Sequence, residues 1–390
     1  MRVIIVHHRS ADLKNPNIHN PIVSAERAIS EMRSGRAVIM THDGNAQVVM
    51  SVECMSEDHI ALIKILADDP SQKKQNHTLP YLILTMQRLK RLGVERTKNG
   101  TISLPNLALE RITDLGLKVQ SSVDAPIHPT STLDDAALAL AQAAQLVPAV
   151  VALPILNDVL ASSNFGLICV SLSDLRIFTE HTQRSVTLVS RAPVPLEHAP
   201  ETEFCVFRGG EGLRDQVAII VGKPDYSEGV LVRMHSACLT GDLFGSLKCD
   251  CGDQLRDTVK FMSDNGGGIL LYLDQEGRGN GIANKMRAYA LQAKGYDTYD
   301  ADEVFGFGAD QRSFEFAANM LVQLGVKKVR LMTNNPIKIA AIERAGLTLI
   351  DNQRVLGRLT TENVAYLKSK RENAGHIIST DYLSHKTGIV

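Results

Sequence analysis

Three cysteines, Cys238, Cys249 and Cys251, carry the most legible chemistry in this chain, spaced C-x10-C-x-C. In extended backbone, residues i and i+2 share a face. Cys249 and Cys251 can therefore aim both sulfurs at one point, and the intervening loop can bring Cys238 to it. Three thiolates without an evident fourth ligand suit a zinc ion whose last position is left to water. A structural zinc more often shows paired C-x2-C spacings, and the chain has none. Asp242, Asp250 and Asp253 are near in sequence, but hard oxygen ligands fit poorly beside three soft sulfurs. The bland alternative is a set of buried, inert thiols.

A second centre follows. Gly268 to Tyr272 reads as a buried strand running into Asp274-Gln275-Glu276-Gly277-Arg278-Gly279-Asn280-Gly281, with a helix from Ile282 to about Ala293. Alternate glycines let backbone amides approach an anion, and Arg278, Lys285 and Arg287 add positive charge. Strand, glycine-rich loop and helix outline a phosphate site that is neither a P-loop nor a dinucleotide fingerprint. Asp310 and Arg312 precede a helix expected from Ser313 to Leu324. They read either as an exposed cap and solvated charge or as functional groups, and on the functional reading too Arg312→Ala is expected to shift stability little, because the position reads as exposed. Asn335 suits an N-cap and Pro336 the first helical position. Lys338 in that first turn opposes the helix dipole; a bound anion would explain it, and so would an exposed lysine.

Arg233-Met234-His235-Ser236-Ala237-Cys238-Leu239-Thr240-Gly241-Asp242, Ser246-Leu247-Lys248-Cys249-Asp250-Cys251-Gly252 and Gln275-Glu276-Gly277-Arg278 resemble the motif set of GTP cyclohydrolase II over roughly residues 186 to 378. The resemblance implies an enzyme of the first step of riboflavin biosynthesis. It would open the guanine imidazole ring of GTP to give formate, pyrophosphate and 2,5-diamino-6-(5-phospho-ribosylamino)pyrimidin-4(3H)-one. Cys238, Cys249 and Cys251 would hold one zinc, which lowers the pKa of bound water to ~7 for attack on C8, and magnesium would arrive on the triphosphate. Asp310 would accept a proton, Arg312 would act at the α-phosphate, and Tyr289 would orient or protonate the purine. Arg233, Met234, His235, Ser236, Ala237, Gln254, Glu276, Gly277, Arg278, Thr298, Thr333 and Lys338 would bind GTP. Ala237 stands where the family commonly has glutamate. A homodimer is expected.

The first half resembles 3,4-dihydroxy-2-butanone 4-phosphate synthase in the order of its elements, with Glu26-Arg27, Gly35-Arg36 and Glu53-Cys54-Met55. Its chemistry is missing. Where that family has an acidic metal-binding loop, the chain reads Thr41-His42-Asp43-Gly44-Asn45-Ala46-Gln47, and magnesium sites usually need more than one carboxylate. The later His-Thr-Glu segment would fall near Thr130 to Asp135, without a histidine in place.

These motifs need elements to hold them. The expected fold class is α/β, mixed α+β, in two domains, each a mixed sheet with flanking helices. The divisions are a leader at 1–20, a degenerate synthase-like domain at 21–185, a cyclohydrolase-like domain at 186–378 and a tail at 379–390. Ser24 is expected to cap a helix from Ala25 to Ser34. Residues 69–115 match nothing recognisable; around Gln87 to Arg96 they read as helical and basic, a solvated face. Further helices are expected at Asp134–Ala144 and within Asp250–Met262, and strands at Ala149–Leu156, Glu203–Phe207 and Val217–Val221.

The chain has 390 residues, 44% hydrophobic and 22% charged, with net charge −1, which fits a globular protein and argues against a nucleic-acid or membrane-surface binder. No apolar run approaches a membrane span. Cys54, Cys169 and Cys205 show no disulfide framework, so a reducing cytoplasm is expected. Alternatives to the cyclohydrolase are a non-catalytic nucleotide-binding descendant and a bifunctional riboflavin-precursor enzyme. A zinc nucleobase deaminase is disfavoured, because His-x-Glu and Cys-x-x-Cys are absent.

Overall fold

Successive residues of the strand Asn45–Ser51 enter different apolar cores: Val48 and Met50 one, Val49 the other. The strand Ala149–Ile155 divides the same way, with Val151 and Leu153 on one side and Val150 and Ala152 on the other. A period of two with apolar residues in both phases produces a sheet buried on both faces. The computed structural model describes residues 19–70, 72, 79–156, 166–211, 214–296, 298–308, 310, 312–355, 357, 360 and 363; the side chains of Thr298 and Tyr299 are not among them. Most of the expected leader, the end of the second domain and the tail lie outside the described residues.

The first sheet contains β1 (Val38–His42), β2 (Asn45–Ser51), β3 (Tyr81–Leu84), β4 (Gly100–Ser103), β5 (His128–Pro129), β6 (Ala149–Ile155) and β7 (Ile168–Ser171). Its order is β5-β4-β3-β6-β2-β1-β7, antiparallel except for β1 against β7. The second contains β8 (Val186–Pro193), β9 (Thr202–Gly209), β10 (Gln216–Val221), β11 (Val230–Ser236), β12 (Gly268–Leu273), β13 (Lys328–Met332) and β14 (Thr348–Gln353). Its order is β14-β13-β11-β12-β10-β9-β8. Strands β14, β13, β11 and β12 run parallel, while β10, β9 and β8 continue antiparallel. The class is therefore mixed α/β with two helix-flanked mixed sheets, as expected. Among the described residues, no helix is long and apolar enough to cross a membrane.

Three local readings are corrected. The first helix spans Pro21–Arg33, and its cap is Asn20, whose side chain accepts from the Ile22 and Val23 amides. An asparagine N-cap followed by proline at the first helical position outcompetes Ser24. The basic stretch from Gln87 does lie in a helix, Met86–Arg91, but Arg88 in it is fully buried, not solvated. Its guanidinium donates to the carbonyls of Asp114, Leu115, Lys118 and Val304, partners too distant in sequence to be read from composition. The helix after Arg312 begins at Glu315, not Ser313, which leaves Arg312 in a loop.

Asn20→Ala should lower stability by about 1 kcal/mol, whereas Ser24→Ala should stay within about 0.5 kcal/mol of wild type. Urea denaturation of the two variants checks the reassigned cap.

Candidate active site

Three parallel strands deliver their chemistry at one edge. The carboxyl end of β11 runs into the cysteine segment, that of β12 into the glycine-rich loop, and that of β13 into Thr333-Asn334-Asn335-Pro336. Crevices beyond the carboxyl ends of parallel strands are where α/β sheets bind ligands. One cavity there is lined by residues from all three connections.

The sulfurs of Cys238, Cys249 and Cys251 lie within 4.8 Å of one another, and those of Cys238 and Cys249 are 3.6 Å apart. A tetrahedral ion with Zn–S bonds of ~2.3 Å requires sulfurs about 3.8 Å apart, so the cluster fits zinc. Gly241 leaves the space: a Cβ there would lie 2.7 Å from Cys249 Sγ and 3.0 Å from Cys238 Sγ. Hydrogen bonds from the Cys249 and Cys251 thiols, helped by Lys285, pull the Cys238 thiol far below its ordinary range. The bond to Cys238 pushes Cys249 up to about 11.

Asp242 shapes the loop. It accepts from the Cys238 amide at 2.9 Å, the Tyr272 hydroxyl at 3.0 Å and His235 Nε2 at 3.0 Å. His235 stacks on Tyr272, and burial lowers its pKa, so it is a neutral donor to Asp242. Lys285 ties this loop to the next, donating to Cys238 Sγ at 3.0 Å and Glu276 Oε1 at 2.8 Å. Glu276 Oε2 in turn accepts from the Leu239 amide at 2.6 Å. Gly277 and Arg278 take left-handed φ of 60° and 62°, folding the loop tightly so that Arg278 pairs with Asp302 at 2.6 Å. Burial raises Asp302 to about 6 against the pull of Arg278.

Arg312 grips Asp310 with two bonds, Nε to Oδ1 at 2.9 Å and Nη2 to Oδ2 at 2.5 Å, and Nη1 donates to Ser236 Oγ at 3.1 Å. Burial would raise the Asp310 pKa, but the Arg312 bonds outweigh it and the net shift is downward. Tyr289 carries Lys248 and Lys285 ammoniums 4.9 and 5.6 Å from its ring centre. Burial raises its pKa to about 12, so it stays a protonated donor at neutral pH. Lys338 is buried, donating to the Met234 carbonyl at 2.6 Å beside the Phe314 ring. Arg233 is buried too, bonded to Met332 O and Gln254 Oε1.

A family profile for GTP cyclohydrolase II matches residues 187–354. A GTP cyclohydrolase-2 of Xylella fastidiosa is 40% identical over 366 residues, 93% of this chain and 89% of that protein. A GTP cyclohydrolase-2 of Azospirillum brasilense is 37% identical over 370 residues, covering 91% and 94% respectively. The chain belongs to the GTP cyclohydrolase II family. A solved structure titled RibBX, a two domain 3,4-dihydroxy-2-butanone 4-phosphate synthase from A. baumannii, covers 86% of this chain and 99% of its own at a TM-score of 0.32 and 16% identity, a likeness too low to bear on the fold.

Of the residues expected to act in a cyclohydrolase II, the cavity gathers Arg233, Met234, His235, Ser236, Ala237, Gln254, Glu276, Gly277, Arg278, Thr333 and Lys338 with Tyr289, Asp310, Arg312 and the three cysteines. Thr298 opens a helix, but its side chain lies outside the described residues. Met234 belongs to the apolar core, so what it offers the cavity is backbone. Sequence reasoning missed Glu211, which accepts from the Ser313 amide at 2.9 Å and from Gln275 Nε2 at 2.9 Å. Gln275 in turn accepts from Ser236, linking Glu211 to Arg312. No local pattern marks Glu211, since the partners of its carboxylate are more than sixty residues away. Lys285 and Tyr289 at i,i+4 did carry a signal, sharing a helix face.

Arg312 is not the exposed group its sequence position suggested; its side chain is 13% exposed and that of Asp310 10%. Arg312→Ala strands a largely buried carboxylate, and should cost about 3–5 kcal/mol of stability. Pairing it with Asp310→Asn should recover part of that loss in denaturant titrations. Burial raises Glu211 from 4.5 to about 7. The folded chain therefore binds this proton more tightly than the unfolded one, and this contribution to stability falls as pH rises from about 4.5 to about 7. Melting of wild type and Glu211→Gln at about pH 5 and about pH 8 should show a smaller difference in the variant.

Proposed function

We propose that this chain is a zinc-dependent GTP cyclohydrolase II that releases formate and pyrophosphate from GTP and leaves the diaminopyrimidinone ribosylamine phosphate. The observation that carries the reading is the convergence of the three-sulfur cluster, the glycine-rich loop and the Asp310–Arg312 pair on one cavity. Cys238, Cys249 and Cys251 are the residues that would hold zinc, which when bound readies water for attack at C8.

The protein's own groups divide the remaining work. Arg278, Arg312 and Lys338 supply positive charge for the magnesium-bearing triphosphate, with Arg312 able to offer a planar fork to phosphate oxygens. Arg312 in its present position suppresses the basicity of Asp310. Turning its fork to the α-phosphate would leave Asp310 buried without that partner, and burial alone raises its pKa. Substrate binding would in this way prepare Asp310 to take a proton during ring opening. Tyr289, protonated and held between ammoniums, donates a hydrogen bond to the purine and can pass its proton to the opened ring. Arg233, Gln254, Thr333 and the backbone from Met234 to Ala237 form the wall on which the base would lie.

The first domain is read as without synthase chemistry. His42 and Asn45 pair across a tight turn in which Asp43 and Gly44 have φ of 46° and 77°. The groove beside it holds one carboxylate, Asp43, with His42, Ser171, Ser173 and Arg176.

Purified protein with GTP, zinc and magnesium should release formate and pyrophosphate. Cys249→Ser should lose both zinc and formate release; full activity in a metal-free variant would refute zinc dependence. Ribulose 5-phosphate with magnesium should give no dihydroxybutanone phosphate above a protein-free control.

A further inference from the structure

The wall of the nucleotide cavity is also part of the first domain's core. Ala288 and Leu291, on the helix Gly281–Gln292 that carries Tyr289, enter the same apolar cluster as Val52, Leu89 and Leu115. Ala301, Val304, Phe305 and Phe307 enter it as well. Two polar connections cross the same boundary. In the first, Glu53 Oε1 accepts from Arg287 Nη2 at 2.7 Å while its Oε2 accepts from the Val147 amide at 2.9 Å. Arg287 Nη1 donates to Asn284 Oδ1 at 2.6 Å, and Asn284 Nδ2 donates to the carbonyls of Gln145 and Asn280. Asn280 closes the glycine-rich loop, so Glu53 is connected to that loop through two side chains.

In the second, the buried Arg88 joins two helix ends. Three of its bonds go to Asp114, Leu115 and Lys118 at the carboxyl end of the helix Leu109–Leu117. The fourth, at 2.7 Å, goes to Val304, the last residue of the helix Thr298–Val304. A cation between two carboxyl ends meets the negative poles of both dipoles, which helps hold a charge that no carboxylate among the described residues pairs. Burial lowers its pKa to about 10, so it remains charged at neutral pH. Nearby, Thr85 Oγ1 donates to the Gly306 carbonyl at 2.8 Å, and a Cβ on Gly306, whose φ is +86°, would meet that oxygen at 2.5 Å. The helix that Arg88 anchors carries Asp302, the partner of Arg278 in the cavity.

We propose that the first domain is a positioning element for the GTP site, with Glu53 and Arg88 as positioning residues. Glu53 fixes the glycine-rich loop through Arg287 and Asn284. Arg88 fixes Asp302, and through it Arg278, by holding Val304. This rests on the GTP reading above and adds that a domain without chemistry of its own sets the geometry of its neighbour's cavity. Neither residue reaches the cavity, so neither is catalytic.

The test uses the full chain. Glu53→Gln keeps an acceptor for Val147 and removes the ionic grip on Arg287. Arg88→Lys keeps the charge but cannot span four carbonyls. Arg36→Ala, which breaks only an exposed pair with Glu31, is the control. Zinc content, melting temperature, and kcat and KM for GTP are measured for each. Glu53→Gln should raise KM or lower kcat by roughly tenfold to a hundredfold, as displacement remote from the chemistry does, with full zinc and near-native melting. In a double-mutant cycle with Arg287→Gln its effect should be non-additive, a coupling that general destabilisation would not produce. Wild-type kinetics in folded, zinc-loaded Glu53→Gln would overturn the proposal, and that variant decides it even if Arg88→Lys fails to fold. Wild-type protein inert toward GTP would instead refute the functional reading, which separates the two failures.

Discussion

Three sulfurs held within 4.8 Å of one another are the constraint around which the second domain is built. Thiolates that close repel unless a cation stands among them, and without one they must share protons. Everything near the cluster addresses that charge. Gly241 leaves room at its centre, Asp242 pins the loop through Cys238, Tyr272 and His235, and Lys285 lays an ammonium against Cys238. Because Lys285 also binds Glu276, the same ammonium couples the sulfur cluster to the glycine-rich loop.

From that point the cavity is a chain of paired charges rather than an open basic patch. Arg278 is engaged by Asp302, Arg312 by Asp310, and Lys285 by Glu276. Such pairing keeps buried cations tolerable, and under the proposed function a triphosphate would exchange for the carboxylates. The net charge of −1 is the counterpart at the level of the whole chain: the positive charge is local and already balanced. The helices that carry Lys285 and Asp302 have their backs in the first domain's core, packed on residues far outside the family profile's span.

What the sequence revealed was local. The cysteine spacing, the glycine-rich loop and the Asn335-Pro336 helix start could be read because partners lie within a few residues, and Asn335 does accept from the Ile337 amide. Asn20-Pro21 carries the same kind of local signal, and it outweighs Ser24 because proline at the first helical position fixes where the helix starts. Arg88 and Glu211 were illegible for a different reason. Their partners are backbone groups and amides brought near by topology, across as many as 216 residues. A basic run such as Gln87 to Arg96 looks solvated until the carbonyls that enclose it are placed. Only the exposure of Arg312 is misjudged from the sequence: its helix is expected from Ser313, and the later start at Glu315 leaves it largely buried in the wall of the cavity.

Zinc K-edge X-ray absorption on the purified full chain tests the account at its centre. About one tightly held zinc per chain is expected, with three sulfurs at about 2.3 Å and a lighter atom in the remaining position. A shell with fewer than three sulfurs, with four, or with no tightly bound zinc would contradict it.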